Sequence, residues 1–346
     1  MTDKTASQLN FFSTIKVGGW TLVSRVAGLI RDIFTTNLLG ASIFHDIFVV
    51  VLKIPNVFRK LFAEGAFSQA FIPIYSEYIG SKDEKGSQDF LNALFGILLS
   101  ALFIFTTLAL LFAPVFILIF APGFYFDIQK QDLAVSLLRI MFPYLALISL
   151  VAFAAGIQNS HNKFSIPALT PLIFNLSLIG SAWLVAPKIE IPVMALAWGV
   201  LLAGFLQLLF QIAPLATIKK IPVPKIDFQN PGVKKFFILV LPAIIAGGIA
   251  QINLLVDTIF ASLLITGSPT WLYVSDRLIQ FPMGIFAIAI GTVLLPSLSK
   301  AYAQKEIEAF TDQLAHAFKL IFFLAIPSLI GLILFASPLL ATIFQR

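Results

Sequence analysis

Arg25, Arg31, Lys53, Arg59 and Arg277 sit in stretches that are otherwise apolar. A charge at bilayer depth costs roughly 2.5–3.5 kcal/mol even on the lenient insertion scale. Such residues therefore face a bundle interior or a water-filled cavity and mark a pathway. The excess here is cationic, so the expected occupant is an anion. A guanidinium stays charged and binds phosphate bidentately, so several around one cavity suit a diphosphate. Ser24 and Arg31 are seven apart, as are Arg25 and Asp32, which predicts two polar stripes on the first helix. Lys53, Asn56 and Lys60 follow at helical spacing with Asp46 one heptad back, and Arg59 points elsewhere, followed by Glu64. Pro55 is expected to kink that helix. Asp276 and Arg277 lie shortly before Pro282 and Gly284.

Bland roles compete with these. Arg25 and Asp32 can form a structural ion pair. Arg59 and Lys60 can snorkel to the cytoplasmic surface, Lys53 can anchor at headgroups, and Asp276–Arg277 can lie near an interface. Arg139 and Lys319 read as interfacial anchors, each near the start of a helix. His45, His161 and His316 are scattered and read as ordinary polar residues. No His/Asp/Glu cluster has metal-ligand spacing and no phosphate-binding G-x-x-x-x-G-K-[ST] loop occurs, so neither a metal centre nor ATP-driven pumping is expected. With no cysteine, thiolate chemistry is excluded. The expectation is a protein that is not an enzyme and needs no cofactor, with membrane potential or a counter-ion as possible drive.

The elements that must position these residues are membrane helices. Mean hydropathy is +0.95, and only 12% of residues are charged, against about 25% in ordinary soluble domains. Charge-free runs at 90–126, 140–161, 164–187, 191–218, 236–256, 278–299 and 320–345 each reach the roughly 20 residues a span needs. Two further spans, about 11–38 and 46–78, carry the charges above. The prediction is an all-α polytopic bundle of about nine transmembrane helices. Thirty-six phenylalanines fit a lipid-facing surface. No period-two alternation of a membrane β-barrel is present, and the first helix lacks a cleavage site. The net charge of +6 reports orientation rather than nucleic acid. An N-terminus in the cytoplasm leaves only Lys130, Lys188 and Arg346 outside, as the positive-inside rule favours.

Residues 218–235 (IKKIPVPKIDFQNPGVKK) read as an amphipathic linker along the cytoplasmic interface. They separate a six-helix lobe, 1–217, from a partial three-helix lobe, 236–346. Residues 121–132 and 158–163 read as loops. A weak repeat spans the linker: Asp32-Ile-Phe answers Asp257-Thr-Ile-Phe, and Pro73-Ile-Tyr-Ser answers Pro296-Ser-Leu-Ser. Two parallel halves with a site between them are a known transporter plan.

Ser24-Arg25-Val-Ala-Gly28-Leu-Ile-Arg31-Asp32 resembles the S-R-x-x-G-x-x-R-D signature of the MurJ/MviN family. The segment from Lys53-Ile-Pro55-Asn56 through Arg59-Lys60, Glu64-Gly65 and Ser68-Gln69 to Pro73 resembles its most distinctive stretch. Asn162-Lys163-Phe164-Ser165-Ile166-Pro167-Ala168 and Ser275-Asp276-Arg277-Leu-Ile-Gln280-Phe-Pro282 continue the match. That resemblance implies a MATE-like fold of the multidrug/oligosaccharidyl-lipid/polysaccharide (MOP) exporter superfamily. It implies flipping of lipid II, the undecaprenyl-diphosphate-linked peptidoglycan precursor, to the outer leaflet of a bacterial inner membrane by alternating access. It further implies substrate contacts at Arg25, Arg31, Arg59, Arg277, Ser24 and Asn56, beside Lys53, with Asp32, Asp46, Glu64 and Asp276 supporting or coupling. Where the family commonly has an acidic residue, this chain has Gln280. Family members are longer. The expectation is therefore a C-terminally truncated relative, inactive alone or needing a second chain to supply missing helices. Export of another polyprenyl-linked glycan, cation–drug antiport and a non-transporting scaffold are the other readings.

Overall fold

The computed structural model describes residues 3–60 and 65–344. All its regular structure there is helical. In chain order come α1 (Asp3–Leu39), α2 (Ile43–Arg59), α3 (Phe67–Gly80), α4 (Glu84–Leu111), α5 (Ala113–Phe120), α6 (Pro122–Tyr125), α7 (Ile128–Met141), α8 (Tyr144–Ser160), α9 (Ser165–Gly180), α10 (Pro192–Thr217), α11 (Pro231–Leu263), α12 (Ser268–Ala303) and α13 (Ile307–Phe344). Among the described residues, six helical segments are long and apolar enough to cross a membrane. The expected span over 46–78 is divided between two short helices, α2 and α3.

Local chemistry sets the boundaries. Asp83 accepts from the Gly86 amide to open α4, Asp127 accepts from the Gln129 and Lys130 amides to open α7, and Asn230 accepts from the Gly232 and Val233 amides ahead of Pro231 in α11. Each satisfies amides that an isolated helix start leaves orphaned. Because Asp127 caps it, α7 begins eleven residues before Arg139, which falls in its last turn and donates to the Leu110 carbonyl at 3.3 Å. Arg139 is thus a tie between helices, not the start of one. Lys319 likewise lies well inside α13.

Contacts divide the chain into two compact units, Met1–Pro269 and Thr270–Arg346. The first unit's core is aromatic. Phe67, Phe71, Tyr75, Phe90 and Phe153 interlock with Phe236 of α11 at centroid separations of 5.3–5.9 Å. A second cluster gathers Phe105, Phe116, Phe120 and Phe142 around Phe58. Phenylalanine is therefore a core residue here as well as a surface one: Phe71 and Phe90 are fully buried, whereas Phe103 and Phe126 are exposed. Between membrane helices, where lipid is as apolar as any side chain, interlocking rings contribute by shape.

α9 lies along α1. Asn175, Leu178 and Thr170 of α9 are buried there or against α10. Gln158 of α8 donates to Gln211 of α10, which donates to Thr170 Oγ1 at 2.6 Å, while Gln207 donates to the Thr170 carbonyl at 3.0 Å. These interhelical bonds between buried side chains tie three helices, each worth about 0.6 kcal/mol net.

Candidate cationic site and family

The site is built on α1. Its inward face presents Ser24, Ala27, Arg31 and Asp32, all buried. Arg31 donates through Nε and Nη2 to Asp32 Oδ1 at 2.9 and 2.6 Å, and through Nη1 to Asn175 Oδ1 at 3.0 Å. Its guanidinium also lies 5.6 Å from the Phe174 ring centre. Asn175 turns its Nδ2 to the Ser24 carbonyl at 2.9 Å. That amide lies over Gly28, where a Cβ would meet it in ordinary contact at 3.6 Å.

This corrects the Arg25–Asp32 pairing weighed from the sequence, while Ser24 and Arg31 do share one face of α1. Asp32 holds its neighbour Arg31, because residues seven apart are separated by about 10 Å along the axis and a short aspartate does not reach that far, whereas the long arginine folds back. Arg31 and Ser24 are connected, but through Asn175, which the sequence reading missed. The available signal was a lone asparagine in the apolar run 164–187, where a polar group wants a partner. Arg25 is exposed on another side of α1 and makes no ion pair among the described residues.

On α2, Asp46 is buried in the first turn and its Oδ2 accepts from the Gly267 amide at 2.5 Å. Beside it His45 Nδ1 meets the Gly40 carbonyl at 2.9 Å. Gly40 and Gly267 have positive φ, +61° and +99°, which only glycine adopts without strain. Near the other end, Lys53 and Asn56 are half-buried, and Arg59 Nε donates to Asn56 Oδ1 at 3.2 Å. Arg59, expected on a separate face, reaches Asn56 one turn back. Glu64 lies outside the described residues.

In the second unit, Arg277 donates to Tyr273 Oη at 3.1 Å and to Gln280 Oε1 at 3.2 Å, with its guanidinium 4.9 Å from the Tyr273 ring centre. Gln280 thus orients the guanidinium without neutralising it. Asp276, beside Arg277, is half-buried and makes no ion pair among the described residues. No group of acidic or histidine residues able to hold a metal occurs among them either.

The chain is an all-helical membrane protein with arginines set into its apolar helices, and its fold is one seen in the MOP superfamily. A solved multidrug-resistance MATE transporter of that superfamily, inward-facing, shares the fold at a TM-score of 0.66 and 16% identity, over 95% of this chain and 75% of that one. The family model for the lipid II flippase MurJ matches residues 35–346, and the chain belongs to that family. It is 40% identical over its whole length to a probable lipid II flippase MurJ of Vibrio cholerae, covering 67% of that protein. It is 38% identical over 97% of its length to a lipid II flippase MurJ of Burkholderia cenocepacia, covering 66%. A solved MurJ in an inward closed conformation superposes with a TM-score of 0.81 at 30% identity, over 96% of this chain and 68% of that one. The chain thus spans about two thirds of the length of the curated relatives it matches.

Proposed function

We propose that this chain carries lipid II, an undecaprenyl-diphosphate-linked precursor, from the inner to the outer leaflet of a bacterial inner membrane by alternating access. The observation that carries the reading is Arg25. It is an exposed cation on a helix whose other face is packed, with no ion pair among the described residues. Such a charge at membrane depth is costly unless water or an anion meets it, and a diphosphate fits a guanidinium fork. Arg31 and Arg59 donate to the neutral side chains of Asn175 and Asn56, which orient their guanidinium groups. Asp32 partly offsets Arg31. Lys53 adds cationic character to the same unit, and Arg277 is an anion contact of the second.

The proposal extends to the drive and the topology. Each elementary charge moved through the membrane potential is worth about 2.3 kcal/mol per 100 mV, enough to bias two states. The N-terminus is placed in the cytoplasm by the lysine asymmetry.

The test is translocation of labelled lipid II in proteoliposomes. Arg25→Ala is expected to insert normally and abolish translocation. Arg25→Lys is expected to restore part of it, because an ammonium lacks the bidentate fork. Unchanged translocation by inserted Arg25→Ala protein would remove Arg25 from the pathway.

A further inference from the structure

Residues 218–230 join the end of α10 to the start of α11, so they lie at one membrane surface. Two prolines dictate their form. Pro222 and Pro224 fix their own φ, and Ile221 and Val223 before them are driven to extended backbone. The resulting strap is laid against α4, chiefly at Asn92. Asn92 Oδ1 accepts from the Val223 amide at 2.8 Å, and the Asn92 carbonyl accepts from the Lys225 amide at 3.1 Å. Gln88 Nε2 braces Asn92 at 3.0 Å and the Ile221 carbonyl at 3.3 Å. Gly96 clears the slot: a Cβ there would stand 2.3 Å from the Lys225 carbonyl oxygen.

In an extended segment successive amides point to opposite sides. The amides of residues 223 and 225 point to α4. Those that would point away, at 222 and 224, are prolines and have no N–H. The strap therefore shows no unpaired amide from 222 to 225. In water that economy has no purpose, since water would pair a free amide. Next to hydrocarbon an unpaired amide is costly. The side chains agree: Ile221, Val223, Ile226 and Phe228 are 49%, 63%, 65% and 60% exposed. Among them stand Lys219, Lys220 and Lys225, the last 3.7 Å from Asp227 of the strap itself, with Lys234 next along. The level agrees too, because Asn92 lies eight residues, about 12 Å, inside the start of α4.

We propose that this strap is a docking surface for an anionic bilayer leaflet. Ile226 and Phe228 enter the acyl boundary and the lysines meet phospholipid phosphates. Charge complementarity selects this occupant: an apolar partner alone would not call for lysines between the apolar side chains, and an acidic soluble partner would not call for the missing amides. The inference does not depend on what the arginine site carries.

The sequence has no cysteine, so Ile226→Cys can be labelled with an environment-sensitive fluorophore in the whole chain. The chain is placed in nanodiscs of phosphatidylcholine alone or with phosphatidylglycerol. The expected result is a blue-shifted emission with phosphatidylglycerol, a smaller shift without it, and loss of the difference in high salt. The combined Lys219→Gln, Lys220→Gln and Lys225→Gln variant is expected to lose the phosphatidylglycerol dependence and keep the melting temperature of the parent. Equal emission in both lipids overturns the proposal, as does lipid dependence that survives in the lysine variant. A shift that follows the protein-to-lipid ratio would assign the surface to a second copy and also overturn it.

Discussion

Arg25 and Arg31 belong to one helix and one motif, yet their surroundings make them different tools. Arg31 is fixed on three sides by Asp32, Asn175 and Phe174, so its position is part of the fold. Taking one member from a buried ion pair leaves the other uncompensated, at about 3–5 kcal/mol. Asp32→Asn is therefore expected to lower the melting temperature markedly, whereas Arg25→Ala leaves it within a few degrees; thermal melts in detergent check both. His161, in the loop after α8, gives a second residue-scale test. It meets Tyr75 Oη at 3.1 Å. Burial, and secondarily the charge of Lys220, hold its pKa below the ordinary imidazole value. The unfolded chain then binds a proton more readily than the native one. Stability from this group is present above about pH 6.5 and is lost as pH falls through that value toward the lowered native one. Melting temperature is expected to drop between about pH 7 and 5.5, and His161→Gln to flatten the drop.

At the scale of elements, close approach decides what can change. A Cβ on Gly123 would stand 1.8 Å from the Ser262 carbonyl oxygen, so α6 meets α11 backbone to backbone, and Ser262 Oγ accepts from the Gly123 amide at 3.2 Å. Gly123→Ala is expected to destabilise the chain by about 1–3 kcal/mol, readable as a lowered melting temperature. Gly96→Ala is expected to lift the strap off α4 and to speed amide exchange at Val223 and Lys225 specifically. Neither contact was legible in the sequence. A glycine in an apolar run looks the same whether it faces lipid or a neighbour's backbone, because the second partner lies over a hundred residues away. The strap was legible as a proline- and lysine-rich break, since prolines act locally. Its register on Asn92 was not. α3, by contrast, was hidden inside one expected span, for apolar composition does not report where a helix stops.

For the whole molecule, composition carried the fold class, because solvation by lipid acts on every residue at once. The arginines of α1 stood out for the same reason. Arg31's partner Asn175 did not, since one neutral amide in an apolar run stands out far less than a charge. Orientation is the remaining global property, and lysine placement predicts it. A cysteine introduced at Gln229 is expected to resist an impermeant thiol reagent in intact cells, while one at Ser268 is labelled; the reverse pattern would invert the topology.

The bond from Asp46 to the Gly267 amide has one end in a side chain and the other in the main chain. Saturation mutagenesis can delete the first end by any change of residue 46 that removes its side-chain acceptor, but nearly every allele of residue 267 keeps the second. A deep mutational scan would therefore record Asp46 as intolerant with no covarying partner. It would record Gly267 as intolerant for its φ of +99° rather than for the bond. The partner becomes visible only to perturbations that move backbone: a proline at 267, or a residue inserted or removed between 264 and 267. A genetic screen for suppressors of Asp46 alleles should accordingly return changes of loop length before it returns changes of side chain.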